Sequence, residues 1–207
     1  LTAALQKYDD VIPVFIGTPE QLTGANKYRS DHSLQFLCES LCELTDELAK
    51  CGSKLHCFYG KNLDVLKKLH KQKQIASIHY NKDYTPYAVK RDSEIQKFCE
   101  ANEIECHEYQ DYLLAEPGSI LTQSGTPYKV YGSFQKRVIQ TKISKVKKLS
   151  KTLMKKLGKQ TFQKPVTTLE STFLKKYYKE QDVEIRGGRR LGLAILKSMG
   201  DFNKYAS

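Results

Sequence analysis

Residues 75–92 read Ile-Ala-Ser-Ile-His-Tyr-Asn-Lys-Asp-Tyr-Thr-Pro-Tyr-Ala-Val-Lys-Arg-Asp. The first six form an apolar run of strand length, and Thr85-Pro86 is the pair expected where a helix begins, with threonine as N-cap and proline at the first helical position. A strand that passes through a polar loop into a helix is the first half of a βαβ unit. Ala88, Ile95, Phe98 and Cys99 give that helix one apolar side, and Glu105 to Tyr109 supplies a further, peripheral strand.

The same alternation runs upstream. Leu1 to Tyr8 reads as the end of a helix, and Val11 to Ile16 is a β-branched run closed by Gly17 and Pro19, hence a buried strand. Leu34, Leu37, Cys38, Leu41, Leu44 and Leu48 follow the helical period, with Ser30 or Asp31 as cap and Gly52 as stop. Leu55 to Tyr59 is a short strand, Gly60 turns the chain, and Asn62 is expected to cap a helix bearing Leu63, Leu66 and Leu69. Strands alternating with helices in this way predict an α/β fold with a doubly wound parallel sheet. A helix at the start of such a domain ordinarily follows a strand, so the sheet is expected to lack its first strand here.

Downstream the pattern changes. Pro117-Gly118 and Gly125-Thr126-Pro127 mark an irregular connection. Between residues 117 and 169 stand twelve of the 34 basic residues and none of the 23 acidic ones, which leaves 22 basic against 23 acidic elsewhere. The whole excess of +11 therefore lies in one segment, and such a segment suits a polyanion or a solvated linker. Phe134, Val138, Ile143, Val146, Leu149, Leu153 and Leu157 have roughly helical spacing, which predicts an amphipathic basic helix over part of it. Gly187-Gly188 opens a last helical pattern with Leu191, Ala194, Ile195, Leu196 and Phe202.

Composition narrows the chemistry. No apolar run approaches the ~18 residues of a membrane span, so a soluble intracellular protein is expected. Six cysteines stand without a C-x-x-C pair, the five histidines do not interleave with them, and the expectation is reduced thiols without a metal site. The sequence contains no G-x-G-x-x-G, no Walker loop, no G-x-S-x-G and no H-E-x-x-H. No catalytic residue is assigned.

Ligands of doubly wound sheets bind beyond the carboxyl ends of the strands. The loop at 81–92 lies at such an end, and Asn81, Asp83, Tyr84, Tyr87 and Lys90 offer polar groups, aromatic faces and a cation to a planar, partly anionic ligand. The local alternative is that Asn81 and Asp83 hold a turn, Thr85 caps and the tyrosines pack on neighbouring helices.

The order of motifs carries a resemblance. V-I-P-V-F-I-G-T-P, F-L-C-E-S-L-C-E-L-T-D-E-L, G-S-K-L-H-C-F-Y-G, N-K-D-Y-T-P-Y-A-V-K-R-D and P-G-S-I-L-T-Q-S-G-T-P-Y-K-V-Y-G-S-F together resemble the amino-terminal half of DNA photolyases and cryptochromes, and most nearly the photolyases that repair cyclobutane pyrimidine dimers. The resemblance implies a Rossmann-like antenna domain at 1–131 without its amino-terminal strand, a basic linker at 132–186 and the truncated start of the helical FAD-binding domain at 187–207. It implies a light-harvesting role in repair of pyrimidine dimers in DNA. An antenna chromophore would pass excitation to FAD held in a separately supplied domain, and this chain would not be catalytic alone. A cryptochrome-like photoreceptor fragment and an inactive truncated homologue are the alternatives.

Two details refine what the resemblance implies. The Asn-Glu pair that contacts a folate antenna in some members corresponds here to Tyr87 and Ala88, which turns the expectation from folate toward a deazaflavin, a flavin or no antenna at all. The linker reads Tyr131-Gly132-Ser133-Phe134, and its basic continuation, with Lys147, Lys148, Lys155 and Lys156, is expected to face a DNA backbone.

Overall fold

The computed structural model describes residues 1–110, 113–141, 149–159, 162, 177–183 and 185–198. The chain divides into two compact units, one built from Leu1–Ile75 with Ser150–Ser207 and the other from Ala76–Leu149.

The first unit contains α1 (Thr2–Lys7), β1 (Val14–Gly17), α2 (Pro19–Leu22), α3 (Asp31–Lys50), β2 (His56–Tyr59) and α4 (Asn62–Lys73), and, from the distal part of the chain, α7 (Lys151–Met154) and α8 (Arg189–Ser198). β1 and β2 pair in parallel, with Val14 opposite His56 and Gly17 opposite Tyr59. α3 starts where expected: Ser30 accepts the Ser33 amide and the Ser33 side chain returns the bond, a reciprocal capping box. It ends before Gly52, whose φ of +73° suits glycine.

Two apolar clusters hold this unit. Phe58, Val65 and Leu69 pack with Ile16, Ile75 and Phe162. Leu22, Leu34, Cys38 and Tyr177 pack with Phe15, Leu37, Leu41, Cys57, Tyr59 and Tyr178. Each large side chain so buried contributes about 1.5–3 kcal/mol. Tyr177, remote in sequence, is thus part of the core laid down by the first βαβ unit.

The second unit holds β3 (Ser77–Asn81), α5 (Pro86–Ala101), β4 (Glu105–Tyr109) and α6 (Tyr131–Ile139). β3 and β4 are parallel, from Ser77 opposite Glu105 to Asn81 opposite Tyr109. α5 buries Ala88, Asp92, Ile95, Phe98 and Cys99, the side predicted from the sequence with one carboxylate added. The fold is therefore α/β with parallel strands and helical crossovers, described as two strand pairs.

Four expectations about element bounds change. The strand expected over 75–80 spans Ser77–Asn81. The strand expected over 11–16 begins only at Val14, because Val11 bridges instead to Leu157: its amide donates to the Lys156 carbonyl at 3.1 Å and its carbonyl accepts from Gly158 at 2.7 Å. Lys61, not Asn62, is the N-cap of α4, with no side-chain capping bond. The basic helical pattern from Phe134 to Leu157 yields two separate short helices, α6 and α7, with 142–148 outside the described residues.

Candidate functional site

The loop between β3 and α5 is assembled by short-range bonds. Lys82 N–H donates to the Tyr109 carbonyl at 2.9 Å, which continues the β3–β4 pairing one residue past the strand. Asp83 Oδ1 accepts the amides of Tyr84 at 2.6 Å and Thr85 at 3.2 Å. Thr85 Oγ1 accepts the Ala88 amide at 3.3 Å, and Pro86 opens α5. The capping predicted from sequence is realised, and the amides of residues 84, 85 and 88 already have acceptors.

The remaining predicted residues lie on the outside of this turn. Tyr84 and Tyr87 are each 37 % exposed, and Asn81 and Lys90 are exposed as well. Tyr87, Lys90 and Arg91 stand at i, i+3 and i+4 on α5 and so share one side of its first turns. Ala88, by contrast, is fully buried and presents nothing to a ligand. Sequence reasoning passed over Arg91 as a site residue. It is half-buried and binds the buried Asp92 at 2.7 Å, and with the Asp83 carboxylate near it is a cation held beside the predicted aromatic residues.

Behind the loop, polar groups link β3 to β4. Tyr80 donates to Glu108 at 2.6 Å, and Gln96 of α5 donates to the same carboxylate at 2.9 Å. Burial, the Glu108 hydrogen bond and Cys106 together push the Tyr80 phenol far above its ordinary range. On the opposite face of the pair, His79 bonds Ser77 Oγ at 2.8 Å and Tyr109 Oη at 2.9 Å and stacks on His107 at 4.6 Å between ring centroids. Lys82 reaches across to Glu116 at 2.7 Å, which raises the lysine pKa and ties the following loop to the site.

Of the four lysines expected to face DNA, Lys155 is exposed and Lys156 pairs with Asp9 at 2.8 Å, while Lys147 and Lys148 lie outside the described residues.

A concavity in the first unit has a volume of about 800 Å³ and lies along α3, lined by Glu39, Glu43, Asp46 and Glu47 and by the cations Lys50, Arg186 and Arg190. Its size is that of a cofactor pocket. None of the candidate site residues Asn81, Asp83, Tyr84, Tyr87 and Lys90 lines it. Burial, together with the charges of Cys42 and Glu39, pushes the Cys38 thiol in its wall up to about 11, so that sulfur is a poor nucleophile at neutral pH.

Comparison with known proteins adds an independent line. A family model described as DNA photolyase matches residues 1–152. A deoxyribodipyrimidine photo-lyase of Synechococcus is 30 % identical over 136 residues, 66 % of this chain and 28 % of that protein. Cryptochrome-1 of Aedes aegypti is 29 % identical over 123 residues, 59 % of this chain and 22 % of that protein. The solved structure of an archaeal photolyase from Sulfolobus tokodaii, containing two FAD molecules and taken to imply a novel light-harvesting cofactor, superposes with a TM-score of 0.76 at 34 % identity, over 94 % of this chain and 41 % of that one. The chain thus corresponds to less than half the length of each of these proteins.

Proposed function

This chain belongs to the DNA photolyase family, and from that membership we propose that it is the light-harvesting part of a photolyase-like protein that acts on pyrimidine dimers in DNA. The observation that carries this reading is the match, over 94 % of the chain, to a photolyase structure holding a second FAD in addition to the first. No helix among the described residues is long and apolar enough to cross a membrane.

The residues at the β3–α5 loop fit a flavin or deazaflavin better than a folate. Tyr84 and Tyr87 offer partly exposed aromatic side chains for a tricyclic system, Asn81 an exposed amide, and Lys90 with Arg91 two cations for a phosphate. The fully buried Ala88 leaves the place of a folate-contacting carboxylate without a side chain that reaches the surface. When bound, such a chromophore absorbs blue or near-ultraviolet light and hands the excitation to a catalytic flavin. The chain's own contribution is geometric: Asp83 fixes the loop, Thr85 and Pro86 fix the start of α5, and the Arg91–Asp92 pair holds a guanidinium beside Tyr87. Catalytic FAD and the helical domain that carries it are proposed as a separate part, and the basic segment, including exposed Lys155, as a phosphate-facing surface.

The test is reconstitution with FMN, FAD, a deazaflavin and methenyltetrahydrofolate, followed by absorbance and equilibrium dialysis. A flavin-type ligand is expected to bind at one equivalent, and Tyr87→Ala is expected to weaken it by roughly tenfold, the value of one aromatic stacking contact. Tight folate binding with no flavin binding would overturn this assignment. The match to cryptochrome-1, at 29 % identity, supports a second reading as part of a photoreceptor. Light-dependent dimer repair by the chain combined with a flavin domain separates the two, since a receptor would bind FAD and repair nothing.

A further inference from the structure

We infer that α3 is a docking track for residues 179–183 and 185–190, and that Gly187-Gly188 is the latch that fixes where α8 departs from it. Asp31, Gln35, Glu39 and Glu43 recur at every fourth position of α3, so their acceptors climb one side of the helix in steps of about 6 Å. The distal segment meets them in the same order. Lys179 Nζ lies 3.3 Å from Asp31, and the Gln181 amide donates to Gln35 Oε1 at 2.7 Å. Gln35 is fully buried, and its other end donates to Glu39 Oε1 at 3.0 Å. Arg186 Nε binds that same oxygen at 2.9 Å, while the Gly187 amide donates to Glu39 Oε2 at 2.6 Å. The Gly188 amide then donates to Ser40 Oγ at 3.1 Å and the Arg190 amide to Glu43 Oε1 at 2.8 Å.

Recognition is mostly of main-chain amides, which is why the two glycines matter. A Cβ at position 187 would run into the Phe36 carbonyl oxygen and come within 2.9 Å of Glu39 Cβ and Ser40 Oγ. At position 188 it would run into the Glu43 carboxylate, and φ there is +112°, which side chains avoid. The Arg190 amide, in the first turn of α8, thereby receives a carboxylate acceptor from another helix, which matches the positive end of its dipole. Tyr177, buried among Leu22, Leu34 and Cys38, anchors the entry to the track.

The consequence is mechanical. The track sets the departure of α8, whose Leu191, Ile195 and Leu196 stay exposed. Under the antenna reading, on which only this last step rests, α8 leads into the flavin-binding part, and a rigid joint keeps donor and acceptor chromophores at a constant separation.

Hydrogen exchange on the full 207-residue chain tests the joint directly. In the wild type the amides of Gln181, Gly187, Gly188 and Arg190 are expected to exchange roughly ten- to hundredfold more slowly than unstructured amides, the range for bonds to polar and charged acceptors. Gly187→Ala should abolish the protection of Gly187, Gly188 and Arg190 together while leaving β3–β4 amides unchanged. Ser40→Ala and Glu39→Gln add no volume and keep the test decisive if Gly187→Ala does not fold; they should accelerate exchange chiefly at Gly188 and Gly187, respectively. Unprotected wild-type amides, or protection at these glycines that survives Ser40→Ala and Glu39→Gln, would overturn the inference. A chain with protected amides that binds no chromophore would sink the antenna reading and leave the joint standing.

Discussion

Two polar surfaces of this protein are built from the same kinds of side chain and work over opposite ranges. At the start of α5, Asp83 and Thr85 bond amides one to three residues away. On α3, Gln35, Glu39, Ser40 and Glu43 bond amides 146 to 148 residues away. The first surface orders a loop and leaves Tyr84, Tyr87 and Lys90 facing outward. The second orders a distant segment and is itself covered by it. A polar residue at a helix surface therefore has no fixed meaning until the chain that returns to it is known.

The largest expected effect comes from breaking the long-range surface at its buried member. Gln35→Leu removes the acceptor of the Gln181 amide and one donor to Glu39, and leaves both partners desolvated. A loss of about 1–3 kcal/mol is expected in chemical denaturation, the cost of an unsatisfied buried group. Faster trypsin cleavage after Arg186 and Arg190 should accompany it. Unchanged cleavage would mean that Tyr177 and the glycines alone hold the segment.

Acid should sharpen the same contrast. Burial raises the Glu39 pKa, but the hydrogen bonds from Gln35 and Gly187 and the charge of Arg186 outweigh it, so the folded value lies below the ordinary 4.5. Because the folded value is depressed, the stabilisation is fully present above the unfolded pKa and is lost as pH falls through the folded one. Protection at the Gly187 amide is thus expected to hold down to about pH 4.5 and to fail below it, with the cap at Thr85 unaffected. Loss of protection already near pH 6 would show that another group controls the joint.

How much of this the sequence disclosed follows from the range of each contact. The Thr85-Pro86 start stands in the structure as read, and of the two caps offered for α3, Ser30 or Asp31, the structure uses Ser30, with a return bond from Ser33 that the sequence reading did not include. The order and parallel direction of the strands, whose runs and crossovers are local patterns, stand as well. Val11 was misread because its apolar neighbours say nothing of Leu157, the partner that draws it out of β1. The period-four acceptors of α3 draw no reading from the sequence, and Gly187-Gly188 reads only as a helix start, since neither pattern names the other. A polar stripe at exact helical spacing opposite a Gly-Gly pair was the signal present, and it is a weak one without contacts. At the candidate site, the outward tyrosines and Lys90 were legible; Arg91 was not, because its orientation depends on the buried Asp92.

Breaking the short-range surface should cost less and stay confined. Thr85→Ala removes one capping bond and is expected to cost about 1 kcal/mol, the usual value for such a cap. Faster exchange should be limited to the first turn of α5, with residues 179–183 and 185–190 unmoved. If their protection fell as well, the two surfaces would be coupled, and the contrast drawn between them would fail.

The smallest effect is the most informative about function. Asp83→Asn keeps an oxygen able to accept the Tyr84 and Thr85 amides, so the loop should persist with a change in stability too small to resolve. It also removes one negative charge close to Arg91 and the exposed tyrosines. If the loop is a pocket wall for an anionic flavin, affinity should rise by a few-fold as that repulsion disappears, whereas Tyr87→Ala lowers it by roughly tenfold. Opposite signs from two neighbouring substitutions, read by equilibrium dialysis against FMN, cannot come from a general loss of folding. Equal losses from both would mean that the loop's polar groups serve only the turn, and that the chromophore, if one binds, sits elsewhere.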